Sequence, residues 1–245
     1  MAVISYRGPM QPLGVAARFT MVLPERMLPE KDRKYPVLWL LAEEGKLSDA
    51  YLRRIGLEAL SERYGLAIVC PEGLHSDYED MVRGMRWYTY ISEGLPKYLR
   101  ENFPLSEDPR DNFVFGFGMG GLGAIRLGLR RPDFAALFGA CDADLGPFSD
   151  DPAHSTPEYI HRMQTIYGDD WRAEEILEKS DPLHMIRRGE KLPDLALYSL
   201  GRGKNAASMQ AFSEASGTGL RLIDTDPEGA GSIVLLDFLS RAFCE

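Results

Sequence analysis

Short, wholly apolar runs of strand length recur along this chain between segments of helical spacing. That alternation is the strongest constraint on its fold. VLWLLA (37–42), LAIVC (66–70), FVFGF (113–117), AALFGAC (135–141) and LALYSL (195–200) carry almost no polar residue. A strand that is apolar on both faces belongs inside a sheet covered on both sides. AVISY and VAARFTMVL (15–23) precede these runs, and LRLID follows them, as further strands. Helical patterns fall between, at 86–102, 120–130, 204–215 and 231–243, with Ser48 a candidate cap for a helix ending at Gly65. Pro96 should kink the helix over 86–102, whose Tyr88, Ile91, Leu95 and Leu99 share a side. The order predicts an α/β fold: a mostly parallel central sheet of about eight strands with helices on both faces. One domain over 1–245 is expected, with an irregular, partly helical excursion over about 146–190.

Charge and cysteine usage narrow the function classes. Lys and Arg total 28 against 37 Asp and Glu, a net charge of −9, with no basic run to offset it. Such a surface repels phosphate backbones, so nucleic-acid binding is not expected. The 3 cysteines, Cys70, Cys141 and Cys244, have neither disulfide-framework nor metal-ligand spacing, which suggests reduced thiols, a cytoplasmic setting and no metal. No stretch approaches the ~20 apolar residues of a membrane span or the pattern of a signal peptide.

In open sheets of this kind ligands sit beyond the carboxyl ends of the strands. The most informative segment there is FVFGFGMGGLGAIRLG. Gly116 and Gly120 frame a nucleophile elbow, G-x-S-x-G, but the central position is Gly118, which has no side chain to attack with. Gly116, Gly118 and Gly121 equally satisfy G-x-G-x-x-G, with Asp142 where a ribose-binding acid would stand. A third reading gives the glycines only a packing role. On these residues alone the alternatives stay open.

The chain as a whole resembles the tributyrin-esterase and esterase D branch of the α/β-hydrolases, which includes S-formylglutathione hydrolases. The resemblance runs from about residue 14 to the C-terminus and is densest over 36–130. It rests on YPVLWLLAEEGKLSDAYLRRIGLEALSERYGLAIVCPEG, MRWYTYISEGLPKYLRENFP, FVFGFGMGGLGAIRLGLRRPDFAALFGACDADLG and SDPLHMIRRGEKLPDLALYSLGRG. It implies ester cleavage by a serine that histidine activates and an acid orients, with backbone N–H groups holding the oxyanion.

The departures fall on the positions that carry this chemistry. The nucleophile's position is Gly118, and Met119 and Glu43 would supply the oxyanion-hole backbone. Ala42 and Glu43 stand where the family has His-Gly. The acid turn reads Gly201, Arg202, Gly203 and Lys204, with Lys204 at the acid. The turn that should hold histidine reads Gly229, Ala230, Gly231 and Ser232, with Gly231 at the histidine. In this fold the triad runs nucleophile, acid, histidine, yet His75, His154, His161 and His184 all precede the strand at 195–200. The expectation is therefore a non-catalytic binding, regulatory or scaffold homologue without a cofactor. Its partner would be an unidentified small molecule or protein, self-association included.

Two alternatives remain. A weak acyl hydrolase would use a relocated nucleophile, Cys141, with His75 as base and Asp142 or Asp77 as orienter. A dinucleotide module would use the glycines and Asp142. Ala42, Glu44, His75, Cys141, Asp142 and Arg202 are the other candidate pocket residues. Glu43, Glu44, Glu72, Asp142, Asp144, Asp224 and Asp226 all follow strands and could gather at one end of the sheet.

Overall fold

In a computed structural model, residues 2–25, 34–145, 148, 156–189, 192–201, 205–225 and 227–243 are described. The eight-stranded sheet is formed by β1 (Ala2–Met10), β2 (Val15–Leu23), β3 (Val37–Leu41), β4 (Ala67–Pro71), β5 (Asn112–Phe117), β6 (Leu137–Cys141), β7 (Leu195–Ser199) and β8 (Leu220–Leu222). Its order is β1-β2-β4-β3-β5-β6-β7-β8. β1 and β2 run antiparallel at one edge, β2 is antiparallel to β4, and the pairs from β4 to β8 are parallel.

The helices are α1 (Leu57–Tyr64), α2 (Trp87–Thr89), α3 (Leu95–Asn102), α4 (Met119–Arg130), α5 (Pro157–Tyr167), α6 (Glu174–Ser180), α7 (Pro182–Arg187), α8 (Ala206–Ser216) and α9 (Pro227–Ala242). Among the described residues no helix is long and apolar enough to cross a membrane.

Alternation along the central strands divides the core. Val37, Trp39 and Leu41 of β3 and Val114 of β5 join one cluster, with Leu122, Ile125 and Leu129 of α4. Leu38, Leu40, Phe113, Phe115 and Phe117 point the other way, onto Leu57 and Leu60 of α1 and Leu235 and Phe238 of α9. Phe115 is fully buried, 4.9 Å from the Phe238 ring and 5.1 Å from that of Phe117. Truncating such a ring to alanine costs about 3–5 kcal/mol.

Several local expectations need correction. Ser48 does not cap the first helix: its N–H donates to Glu72 Oε1 at 3.3 Å and its hydroxyl accepts from Thr20 at 3.1 Å. A π-helical turn over Leu52–Gly56 precedes α1 instead. A second π-helical turn, Tyr90–Gly94, interrupts the helix over 87–102 just before Pro96. Proline crowds the carbonyl four residues back, and a widened turn relieves that contact. The excursion is more regular than expected: α5, α6 and α7 fill most of its described part. Gly231 lies inside α9, not in a turn before it.

The chain leaves β3 toward α1 on one face and β5 toward α4 on the other, although β3 and β5 are neighbours. Their carboxyl ends therefore open the crevice where ligands bind in such sheets.

Candidate functional site

The turn from β5 into α4 is built by close approach. A Cβ on Gly116 would lie 2.1 Å from the Gly120 carbonyl, and one on Gly120 would lie 2.1 Å from the Leu41 carbonyl oxygen. Side chains there would drive the elbow off the sheet. Gly118 differs. Its φ of 52° and ψ of −119° hold the strained strand-to-helix turn of a nucleophile elbow. Among the described residues other than its chain neighbours, a Cβ there would meet only the Glu43 side chain, in ordinary contact at 3.5 Å. Gly118 N–H donates to the Cys141 carbonyl at 3.0 Å, fixing the turn against β6.

Beside this turn lies a cavity of about 190 Å3 lined by Glu43, Glu44, Gly118, Met119, Asp144 and Arg162, among others. Asp77, Leu122, Tyr159 and Asn205 complete its wall. Arg162, from α5, pairs with Glu44 at 3.2 Å and also with Asp77. Burial pushes the Asp77 carboxyl up, while Arg162 and Arg126 pull against it. The loop bearing Asp77 holds three of the four described non-glycine residues with positive φ: Leu74, Asp77 and Tyr78. Buried contacts over-determine it: Tyr167 donates to Asp77 at 3.1 Å, and the Tyr78 hydroxyl donates to the Ala42 carbonyl at 3.1 Å. Fully buried Arg126 donates to the Asp77 carbonyl at 2.7 Å, to the Ser180 carbonyl at 2.7 Å and to the Tyr167 hydroxyl at 3.1 Å, and sits 3.0 Å from Glu79. This cluster ties α4 to the excursion and so fixes the far wall of the cavity.

A smaller cavity of about 60 Å3 lies beyond Glu43, among Tyr51, Phe117, Cys141, Asp142, Ala230 and Gly231. The Tyr51 hydroxyl accepts the Glu43 N–H at 3.0 Å. A larger groove of about 470 Å3 runs between Arg130, Ile166, Lys179 and Met185, and no elbow glycine lines it.

Of the residues singled out from sequence, Gly118, Met119, Glu43 and Glu44 meet at the elbow cavity. Ala42 is fully buried and lines neither cavity beside the elbow, which removes it as a pocket residue. His75 is exposed and holds Glu44 at 3.0 Å through Nδ1, so it is not brought to Cys141. Cys141 is buried, and its thiol is pushed far up by desolvation first, then by Asp142 and Glu43. Asp142 clamps the end of β7, accepting from Ser199 Oγ at 2.8 Å and Leu200 N–H at 3.1 Å. Its carboxylate is thus engaged where the dinucleotide reading needs it for a ribose. His161 and His184 line neither elbow cavity, and His184 pairs with Asp181 at 2.7 Å. Arg202, Lys204, His154, Asp226 and Cys244 lie outside the described residues.

The acids gather only in part. Glu43, Glu44, Asp77 and Asp144 share the cavity, whereas Glu72 is buried beneath Ser48 and Asp224 lines neither elbow cavity. Among the described residues no group of three or more His, Cys, Asp or Glu is placed to hold a metal ion. Sequence reasoning missed Arg162 and Tyr159, which lie on α5 in the excursion; Asn205 was among the residues after the strand at 195–200 where ligands are expected.

Comparison with known proteins agrees with the geometry. The family model described as "Putative esterase" matches residues 11–144. Bovine S-formylglutathione hydrolase is 26% identical over 138 residues, 47% of either chain, so the match spans about half the length of that curated relative. Among solved structures, the Staphylococcus aureus fluorophosphonate-binding serine hydrolase FphF superposes with a TM-score of 0.81 at 21% identity, covering 98% of each chain. An S-formylglutathione hydrolase from Agrobacterium tumefaciens superposes with a TM-score of 0.78 at 18% identity, over 98% of this chain and 93% of that one. At those identities the superpositions establish the α/β-hydrolase fold.

Proposed function

The chain belongs to the Esterase family, and from that premise we propose that it has lost the serine–histidine–acid mechanism and serves as a non-catalytic binding, regulatory or scaffold homologue. The observation that carries this reading is Gly118. The elbow keeps its strained geometry and its close-packed flanking glycines, while the position that should present a nucleophile has no side chain. Two further features support it. The described histidines line neither elbow cavity. Glu43 places a carboxylate beside the turn, where developing negative charge would need stabilising. Its own N–H, expected to serve the oxyanion, is already donated to Tyr51.

The test is hydrolysis of p-nitrophenyl butyrate by rigorously purified protein, with Cys141→Ala as a paired control. The reading expects the buffer rate from both. Activity that copurifies with the wild type and vanishes in the variant would make this a thiol esterase. Burial of Cys141 and the acids beside it oppose that second reading, because the thiolate is the attacking species.

A further inference from the structure

Away from the elbow, the outer side of β1 is the longer of the two free edges of the sheet. Three strands stand between β1 and β5, and among the described residues no strand pairs with the outer side of β1. The opposite edge, β8, has only 3 residues. The register of β1 with β2 is unbroken from Ala2↔Leu23 to Met10↔Val15, so alternate residues of β1 turn their backbone groups outward. Pro9 identifies which. A proline in an edge strand points its nitrogen away from the ladder, and the Pro9 carbonyl accepts from the Tyr6 hydroxyl at 3.2 Å. By the same alternation the N–H and C=O groups of Val3, Ser5 and Arg7 face away from β2.

Two arginines mark this edge. Arg7 stands directly opposite Arg18 of β2, so both side chains leave the same face of strands about 4.8 Å apart. Like charges so placed repel each other. Neither guanidinium has an ion pair, hydrogen bond or ring contact among the described residues, whereas Arg83, Arg86, Arg110 and Arg131 each hold an aspartate. Glu72, next to Arg18 along that row, is buried and accepts from Ser48 instead. On the other face of β1, Ile4 and Tyr6 are half-buried, with Tyr6 stacked on Phe19 at 4.8 Å. β1 carries no acidic residue, so a second copy pairing along it would leave the arginines of both copies uncompensated.

We infer that the free edge of β1 takes an extended acidic peptide of a partner protein as a ninth strand. The peptide backbone pairs with Val3, Ser5 and Arg7, an acidic side chain faces Arg7, and alternate apolar side chains lie beside Ile4 and Tyr6. An acid in that place draws Arg7 away from Arg18 and replaces a cross-strand repulsion with an attraction. Binding at this edge does not depend on what the elbow does.

Fluorescence anisotropy with a labelled octapeptide of alternating Glu and Val, blocked at both ends, tests this. At about 0.15 M salt the ~8 Å Debye length lets the peptide feel Arg7 and Arg18 rather than the net charge of −9. The matching octapeptide of Lys and Val is the control. Saturable binding of the acidic peptide is expected, with none for the basic one. Arg7→Glu should weaken it about 3- to 30-fold, as an attractive cross-strand pair becomes a repulsive one. Arg7→Glu combined with Arg18→Glu should exchange the preference, so that the basic peptide binds and the acidic one does not. Ser5→Pro removes an outward N–H without touching a charge and should abolish binding. Circular dichroism checks that each variant keeps the fold. Amide exchange at Val3, Ser5 and Arg7 should slow when the acidic peptide is bound.

No saturation by about 1 mM acidic peptide overturns the inference, as does equal binding of the two peptides. Binding to which both Ser5→Pro and amide exchange are indifferent would be attraction to arginine without an added strand, and overturns it too. A dimer in light scattering that Ser5→Pro dissociates would put a second copy of this chain on the edge in place of the acidic partner.

Discussion

Gly118→Ser puts a hydroxyl at the central position of the elbow, and the structure predicts what that does and does not supply. Sterically the serine fits: among the described residues other than its chain neighbours, its Cβ would meet only Glu43 Cγ, at 3.5 Å. Conformationally it is strained, because φ of 52° with ψ of −119° is a region that glycine tolerates and L-residues avoid. Strain of that kind costs of order 1–3 kcal/mol. For a chain of this size each 1 kcal/mol lowers Tm by about 2–4 °C. The variant should therefore fold and melt a few degrees early. Gly120→Ala is the contrast: its Cβ would lie 2.1 Å from the Leu41 carbonyl oxygen, so it should fail to give soluble folded protein. Chemically the serine gains little. A serine hydroxyl needs a base, and the described histidines line neither elbow cavity. Loss of the histidine from an intact triad costs about 10⁶-fold in kcat. Turnover of p-nitrophenyl butyrate by Gly118→Ser should accordingly stay about 10⁴-fold or more below that of an active family member, and a fluorophosphonate should label it slowly or not at all. Turnover within about 100-fold of such a relative would refute the argument, because it would require a histidine base that none of the described residues supplies there.

Three other outcomes follow from the surrounding structure. Arg126→Ala takes the donor from two buried carbonyls and one of the two arginines that hold Glu79, leaving only Arg130 at 2.8 Å, so unfolding in urea should show a loss of about 3–5 kcal/mol, with early hydrogen exchange in α5 and α6. Cys70 and Cys141 are buried with thiols pushed far up by desolvation, so peptide mapping after alkylation at pH 8 should find both unmodified until the protein is unfolded. Asp108 caps a short 3₁₀ turn, and hydrogen bonds from the Arg110 side chain and backbone hold its carboxyl down at about 2. Because the folded value lies below the unfolded one, its contribution to stability is complete above about pH 4 and drains away as pH falls toward about 2. Carboxyl-detected NMR titration would show the depressed midpoint, and Asp108→Asn would remove that part of the acid dependence.

The sheet was legible because strands covered on both faces cannot hide. Phe113, Phe115 and Phe117 point to one layer and Val114 to the other, and either layer demands an apolar side chain. The elbow was legible because its flanking glycines answer a steric demand that no other residue meets. Charge at the site was not. Arg126 sits among small residues on a helix that reads as purely apolar packing, yet it is fully buried and satisfied by groups far along the chain. Arg162 lies in the excursion, on a helix whose start the sequence does signal through the Thr156 cap, Pro157 and Glu158, but only the fold brings it to Glu44 and Asp77. Gly231 was misplaced for a similar reason: glycine reads as punctuation, but α9 absorbs it where its missing Cβ gives room to Ile55.

The requirements of architecture and of chemistry separate at this turn. Gly116 and Gly120 are fixed by backbone contacts with Leu41 and with each other, so this sheet and turn leave no room for a Cβ at either position. The central position has no such constraint. In a working enzyme a serine there would be strained at the φ of 52° seen at Gly118, a cost accepted for the sake of the attack. Where that attack is no longer needed, glycine removes the strain, leaves the turn standing and opens the space that faces Glu43. On the proposed reading, loss of the nucleophile stabilises the elbow by the same 1–3 kcal/mol that Gly118→Ser would take away. On that reading, gaining serine catalysis would have to overcome both the lack of a histidine beside the elbow among the described residues and a more stable fold.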